Sequence, residues 1–152
     1  AGADCLLMGI FSADLTEPMA AVLGNLGAKR AFVVHGSDGL DEITITGPTR
    51  VSELCDGEVK TYTVTPEEIG VDTGSGDDLK GADVRANAVI IMDILHGKKG
   101  SPREIVLANA GACLVVAGLA STFREGAALA RDTIDSGRAI DKLEQFRKVS
   151  QS

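Results

Sequence analysis

Ala31-Phe32-Val33-Val34-His35-Gly36-Ser37-Asp38-Gly39-Leu40-Asp41-Glu42 reads as a short strand emptying into an acidic loop. Ala31 to Val34 is an uninterrupted apolar run, the pattern of a strand covered on both faces, and the glycines after it stop the strand abruptly. Upstream, Cys5 to Ile10 has strand character, and Thr16 is suited to cap a helix with Glu17 and Pro18 in its first turn. Met19, Val22, Leu23 and Leu26 share one face of that helix, and Gly27 supplies a left-handed stop. Strand, helix, strand at this length is a βαβ unit, which predicts adjacent parallel strands. Ligands of open α/β sheets bind outside the carboxyl ends of the strands. Asp38, Asp41 and Glu42 would stand there, a set of oxygens suited to a hard cation such as magnesium carrying a phosphorylated substrate. The same residues also suit a plain solvated turn, because Asp and Gly are ordinary turn formers.

Downstream the periodicity changes. Ile43 to Thr46, Val51 to Leu54 and Glu58 to Val64 read as short β segments, the last two joined by the tight-hairpin pair Asp56-Gly57. They predict a small antiparallel meander or ribbon beside the main sheet. Thr65-Pro66-Glu67-Glu68 is a capping box for a helical turn ending at Gly70. Gly70 to Gly81 is rich in glycine, but it carries Asp72, Asp77 and Asp78 and lacks a P-loop lysine, so it reads as a solvated connection rather than a phosphate loop.

Asp83 then caps a helix with Val84, Ala88, Ile91 and Leu95 at core spacing and a stop at Gly97. Ser101-Pro102-Arg103-Glu104 predicts a second capping box, opening the apolar run Ile105 to Ala120. That run is apolar on every side and belongs in the middle of a core, and its 16 residues are shorter than the roughly 20 a membrane span needs. Thr122 to Glu125 starts a further helix through Ile134 to Gly137, and Ala139, Leu143 and Phe146 form one face of the last. His96 falls in a helix's last turn, where it can bond terminal carbonyls. Asn109, in an apolar helix, needs partners, and a cross-link from the helix to a neighbouring loop would supply them.

Composition limits the functional classes. The 152 residues suit one domain, and with 44% hydrophobic but only 3% aromatic residues the core must be filled by aliphatic side chains and alanine. A formal net charge of -7 opposes non-specific binding to nucleic acid or anionic membrane, though not to a polyphosphate held through a metal. Cys5, Cys55 and Cys113 lack metal-ligand spacing and are expected to be reduced, small buried residues in a cytoplasmic protein. Nothing at the start has the basic leader of a signal peptide.

The phrase His35-Gly36-Ser37-Asp38-Gly39-Leu40-Asp41-Glu42 closely resembles the signature of the anthranilate phosphoribosyltransferase family. Ala1-Gly2-Ala3, Leu7-Met8-Gly9-Ile10-Phe11, Gly47-Pro48-Thr49, Asn87-Ala88, Ile94-Leu95-His96-Gly97 and Leu107-Ala108-Asn109-Ala110 also match. The likeness runs along the whole chain but covers only the C-terminal portion of the family's sequence. The family's Gly-Thr-Gly-Gly-Asp phosphate loop, Lys-His-Gly-Asn phrase and anthranilate-binding arginine are absent here. The resemblance implies an α/β fold of the phosphoribosyltransferase/nucleoside phosphorylase-like kind, incomplete: a partly parallel sheet with flanking helices and a small antiparallel β segment. Residues 1–152 would be the C-terminal part of the α/β catalytic domain, with the family's N-terminal helical domain and phosphate-loop half absent.

The reaction it implies is transfer of phosphoribosyl from phosphoribosyl pyrophosphate to anthranilate in tryptophan biosynthesis, by a homodimer of the complete enzyme. Asp41 and Glu42 would bind Mg2+, with Asp38 an outer-shell acid or part of the turn. Gly36 and Gly39 would admit close backbone approach, and His35 and Gly36 would face substrate, though a histidine at a strand end equally suits a satisfied structural role. No covalent nucleophile stands out, and the fragment alone is expected to be inactive. The rivals are a related pyrimidine nucleoside phosphorylase and a noncatalytic paralogue that binds nucleic acid. The Asp-Gly-Leu-Asp-Glu phrase argues against the first, and the negative charge with an intact acid pair argues against the second.

Overall fold

The computed structural model describes residues 3–151; Ala1 and Gly2, which belong to the first phrase of the family resemblance, lie outside them. Its elements are β1 (Cys5–Gly9), a 3-10 turn (Ala13–Leu15), α1 (Thr16–Asn25), β2 (Arg30–Gly36), β3 (Thr49–Cys55), β4 (Glu58–Val64) and α2 (Pro66–Ile69). A second 3-10 turn (Gly76–Leu79) precedes α3 (Val84–Leu95), α4 (Ser101–Val116), α5 (Phe123–Asp135) and α6 (Arg138–Ser150).

One four-stranded sheet runs in the order β1-β2-β3-β4. β1 and β2 are parallel, as the βαβ reading requires, with Met8 opposite Val33. β2 pairs antiparallel with β3, and β3 with β4. The antiparallel strands therefore continue the main sheet instead of forming a ribbon beside it, because β2 lends its second edge to β3. The hairpin turns through Asp56 and Gly57, both at positive φ (50° and 85°), as a two-residue primed turn demands.

The apolar run in β2 is explained by the layers on either side. Ala31 and Val33 pack with Ala20 and Leu23 of α1, while Phe32 and Val34 join the larger core under α4 and α5. Phe32 also stacks on Phe123, with ring centroids 5.2 Å apart. Both faces of the strand are thus covered, and an alternating pattern would have left one of them polar.

Several expected details differ. Thr16 does not cap α1: a 3-10 turn leads into the helix, and the buried Thr16 hydroxyl donates to Ala13 O and accepts from Arg50 Nε. α1 buries Thr16, Ala20 and Leu23, leaving Val22 and Leu26 exposed. Its small residues let it sit close, and a Cβ on Gly24 would already lie 3.1 Å from Leu54. In α3, Asp83 accepts from the Ala86 amide as expected, but Val84 and Ile91 face out while Ile94 is buried. That helix is apolar on more than one face, so spacing alone does not choose between Ile91 and the Ile90/Ile94 pair. The box at Ser101 is not formed: Gly100 precedes the helix without a side-chain cap, Ser101 donates to Asp78, and Glu104 accepts from the Asp72 amide. In α6, Phe146 is exposed and Ala139 packs on the core. The cysteines are free thiols as expected, but Cys5 and Cys113 are exposed and Cys55 only half-buried.

α4 buries Leu107, Ala108, Gly111, Ala112, Val115 and Val116, while Val106 and Cys113 remain exposed, so it is covered on most sides rather than all. Arg103 is buried at its first turn, donating to Gly97 O and pairing with Asp135, which ties the ends of α3 and α5 to α4. Among the described residues no helix is long and apolar enough to cross a membrane. The box at Thr65 forms as read, with Thr65 accepting from the Glu68 amide, and a helix starts at Thr122 as read, its hydroxyl accepting from the Glu125 amide.

The α4–α5 contact rests on glycine. A Cβ on Gly111 would lie 2.6 Å from the Ala127 amide nitrogen, and one on Gly126 would lie 2.3 Å from Gly111 O. Alanine normally stabilises a helix over glycine by about 1 kcal/mol. Here Gly111→Ala must push two backbones apart, an overpacking cost of about 1–3 kcal/mol. Urea denaturation of the complete polypeptide should therefore show Gly111→Ala to be net destabilised; an equal or higher midpoint would contradict the packing described.

Candidate functional site

The acidic loop begins where β2 ends and turns back on itself. Gly39, at φ 91°, donates to Gly36 O, and the Gly36 amide donates to Leu40 O. Asp38 fastens this turn to the chain beyond it. Its Oδ2 accepts from the hydroxyls of Thr44 and Thr46, at 2.5 and 2.6 Å, and its Oδ1 accepts from the Leu40 amide at 3.1 Å. Partial burial pushes the Asp38 carboxyl up, but these hydrogen bonds together outweigh it and hold the group below the usual carboxylate range.

Those bonds explain why Ile43 to Thr46 is not the strand its alternation predicts. The backbone there is irregular. The Ile43 amide donates to Asn109 Oδ1, the Thr44 amide to Thr49 Oγ1, and Ile45 O accepts from the Gly74 amide. Side chains and a neighbouring loop satisfy these groups in place of a ladder. Ile43, Thr44 and Ile45 are nevertheless fully buried, which is why their sequence has a strand's composition.

With Asp38 engaged, Asp41 and Glu42 are left for other work. Asp41 lies against the end of β1: a Cβ on Gly9 would fall 1.5 Å from Asp41 O, so only glycine lets the loop pass there. The acid pair therefore sits at the carboxyl edge of the two parallel strands, as expected. Asp41 is exposed and its carboxylate has no hydrogen-bond or ion-pair partner among the described residues. Glu42 is half-buried; that burial, then the charges of Asp41 and Asp38, push its carboxyl above the usual range. No lysine or arginine forms an ion pair with any of the three acids among the described residues. Among the described residues no cluster of three or more His, Cys, Asp or Glu converges as a metal cage. Two neighbouring carboxylates lacking a protein counter-ion are still a fitting donor set for magnesium, which keeps several waters and takes one or two protein carboxylates.

A cavity of about 630 Å³ adjoins the loop. Leu40 and Glu42 line one side, Asp78 to Gly81 another, and Ile90, Ile94 and Ile105 give it an apolar floor. The Gly70–Gly81 segment is more than a solvated connection, since Asp78 accepts from Ser101, Glu104 from the Asp72 amide, and the Gly74 amide reaches the acidic loop.

His35 stands at the end of β2 with Nδ1 2.8 Å from Ile10 O. A carbonyl only accepts, so Nδ1 carries the hydrogen and ties the ends of β2 and β1 together. Gly36 is packed inside the turn, where a Cβ would lie 2.6 Å from Asp38 Oδ1. His96 Nδ1 meets Met92 O at 2.7 Å in the last turn of its helix, as read. Asn109 makes the expected cross-link to the loop. The sequence does not reveal that it also comes within 3.4 Å of Glu42 Oε2. Nor does it reveal the roles of Thr44, Thr46 and Gly9; only the strand-like alternation, which hides the threonines' second use, was on view.

Known proteins share this architecture. The model of the glycosyl transferase family, a/b domain, matches residues 1–140. The chain belongs to that family. Within it, residues 1–152 are 51% identical to an anthranilate phosphoribosyltransferase of Afipia carboxidovorans and 144 of them are 50% identical to one of Moorella thermoacetica. Those matches cover 100% and 95% of this chain, but only 45% and 42% of the relatives. The chain thus matches the C-terminal part, somewhat under half, of these proteins. Among solved structures, the anthranilate phosphoribosyltransferase of Thermus thermophilus superposes with a TM-score of 0.91 at 38% identity, covering 100% of this chain and 45% of that one. The Saccharomyces cerevisiae enzyme, solved in complex with PRPP and Mg, gives 0.84 at 27% identity over 96% of this chain and 43% of its own. The glycosyl transferase a/b fold, with its mixed sheet and flanking helices, is accordingly the architecture of this chain.

The Asp38 bonds carry a pH signature. A carboxyl whose folded pKa lies below its unfolded value, near ~3.9 for Asp, contributes stability that is complete above that unfolded value and is lost as pH falls through the folded one. Asp38→Asn should lower stability at neutral pH by about 1 kcal/mol, the low end for a charge-assisted hydrogen bond because the group is exposed. The difference should shrink as the pH is taken below about 4, as followed by thermal melts. A constant difference down to about pH 2 would contradict the role given to Asp38.

Proposed function

We propose that this chain is the C-terminal part of the catalytic domain of an anthranilate phosphoribosyltransferase. The complete enzyme transfers phosphoribosyl from phosphoribosyl pyrophosphate to the amine of anthranilate, in tryptophan biosynthesis. The observation that carries the reading is the 51% identity along all 152 residues to a relative of that name. The acid pair at the carboxyl edge of the parallel strands supports it, with the Gly9 and Asp41 backbones in contact.

In this reading Asp41 and Glu42 hold Mg2+, one of them directly or both through water. When bound, the ion neutralises charge that develops on the departing pyrophosphate. The chain's own residues do the rest by position. Asp38, bonded to Thr44 and Thr46, keeps the loop turned so that its neighbours face outward. His35, with its Nδ1–H given to Ile10 O, leaves Nε2 as an acceptor for a substrate hydroxyl. Gly36 keeps the backbone close to that same edge. Attack by the anthranilate amine needs no covalent nucleophile from this part of the protein.

The chain covers 45% of the matched relative. The reading assigns the remaining contacts to both substrates to the N-terminal half of the complete polypeptide, which would form a homodimer in the cytoplasm. Carboxylates that bind a metal do not by themselves align two substrates for attack. Residues 1–152 expressed alone should show no turnover, and adding the N-terminal half as a separate polypeptide should restore some; full activity of the isolated chain would refute this division of labour.

In the complete polypeptide, Asp41→Asn with Glu42→Gln should lower magnesium-dependent turnover by about 100-fold or more, the scale of losing several kcal/mol of charge stabilisation. Stability should change by less than about 1 kcal/mol, because both are loop residues outside the core. A magnesium titration of phosphoribosyl anthranilate formation, paired with melts, makes the check. Unchanged turnover in the double variant would reduce the two acids to turn residues.

A further inference from the structure

Asn109 lies on α4, yet its side chain is committed almost wholly to the acidic loop. Oδ1 accepts from the Ile43 amide at 3.0 Å, and Nδ2 donates to Ile43 O at 2.8 Å. Nδ2 also lies 3.0 Å from Ile105 O, one turn back on its own helix, and 3.4 Å from Glu42 Oε2. A carboxamide has two N–H hydrogens, so these three acceptors compete for them. The shorter contacts go to the carbonyls, and Glu42 receives the long branch.

This geometry does two things at once. Both peptides flanking Ile43 are gripped from the same side chain, which fixes the direction in which the preceding residue, Glu42, leaves the backbone. The weak branch to Oε2 then limits the carboxylate's rotation without taking up the lone pairs an ion would use. A short, strong bond to Oε2 would have competed with the metal; the absence of any contact would have left a flexible side chain to be ordered on binding, at an entropic cost.

We infer that Asn109 is a positioning residue for the metal site, aiming the Glu42 carboxylate at the cation it shares with Asp41. The inference rests on the metal-site reading above. It adds a residue from a different element, 67 positions along the chain from Glu42. Groups that orient metal ligands in this way typically change metal affinity by about 10–100-fold when removed.

The test is Mn2+ binding, followed by electron paramagnetic resonance of the free ion, to the complete polypeptide and to its Asn109→Ala, Glu42→Gln and doubly substituted forms. Melts define a temperature at which all four are folded. Asn109→Ala should weaken Mn2+ binding by about tenfold. In the Glu42→Gln background the same substitution should have little further effect, because the carboxylate it aims is gone. A purely structural asparagine would lower the melting temperature equally in both backgrounds and would not show that coupling. If Asn109→Ala fails to fold, Asn109→Ser replaces it: the hydroxyl can still bond Ile105 O within the helix but is too short to span to Ile43. The inference is overturned if Glu42→Gln weakens binding while the Asn109 variant does not, or if the Asn109 effect is the same with and without Glu42. Full Mn2+ affinity in Glu42→Gln, and in an Asp41→Asn form measured beside it, would instead remove the metal-site reading, and this inference with it.

Discussion

The carboxylate of Asp38 is consumed within its own loop, and most of the site follows from that. Bonded to the hydroxyls of Thr44 and Thr46 and to the Leu40 amide, it closes the chain into a turn whose remaining acids, Asp41 and Glu42, have nowhere to go but the rim. A carboxylate satisfied in this way stays ionised at neutral pH. Its charge and that of Asp41 add to the partial burial of Glu42 to create a local excess of negative charge that no protein cation offsets among the described residues. An ion supplied from outside is the natural complement.

Separate elements hold the loop. β1 meets it backbone to backbone at Gly9, where a side chain would not fit. β3 holds it through Thr49 Oγ1, which accepts from the Thr44 amide, and the Ser37 amide bonds Pro48 O just before that strand. α4 holds it through Asn109, and the Gly70–Gly81 segment through the Gly74 amide on Ile45 O. Buried Ile43 and Ile45 anchor the same segment in the core. The hydrogen-bonded attachments use backbone groups that a regular strand would have given to its neighbour.

What was legible in the sequence is what local pattern determines. The doubly apolar run at Ala31 gives a central strand, Asp56-Gly57 a tight hairpin, and Thr65 and Thr122 with glutamate three residues on give capped helices; each appears as read. The position of Asp41 and Glu42 at a strand's carboxyl edge follows from the βαβ unit alone. What was not legible depends on partners distant in the chain. Ile43 to Thr46 has the composition of a strand, but its threonines bond Asp38 and its amides bond Asn109 and Thr49, none of which alternation can express. Ser101 and Glu104 have the spacing of a capping box and are instead drawn to Asp78 and the Asp72 amide. In α1 and α3 apolar residues occupy more than one face, so the buried one is chosen by the neighbouring layer. The cysteines, expected inside on composition, lie mostly at the surface because small residues there cost little either way.

The central claim is that the turn built by Asp38 presents Asp41 and Glu42 to a divalent ion. Crystals of the complete polypeptide grown with Mn2+ and phosphoribosyl pyrophosphate, measured at a wavelength where manganese scatters anomalously, test it most directly. The account predicts an anomalous peak bonded to a carboxylate oxygen of Asp41 or Glu42, directly or through one water, with Asp38 still on Thr44 and Thr46. An ordered manganese elsewhere in the site, with neither carboxylate reaching it, would contradict it.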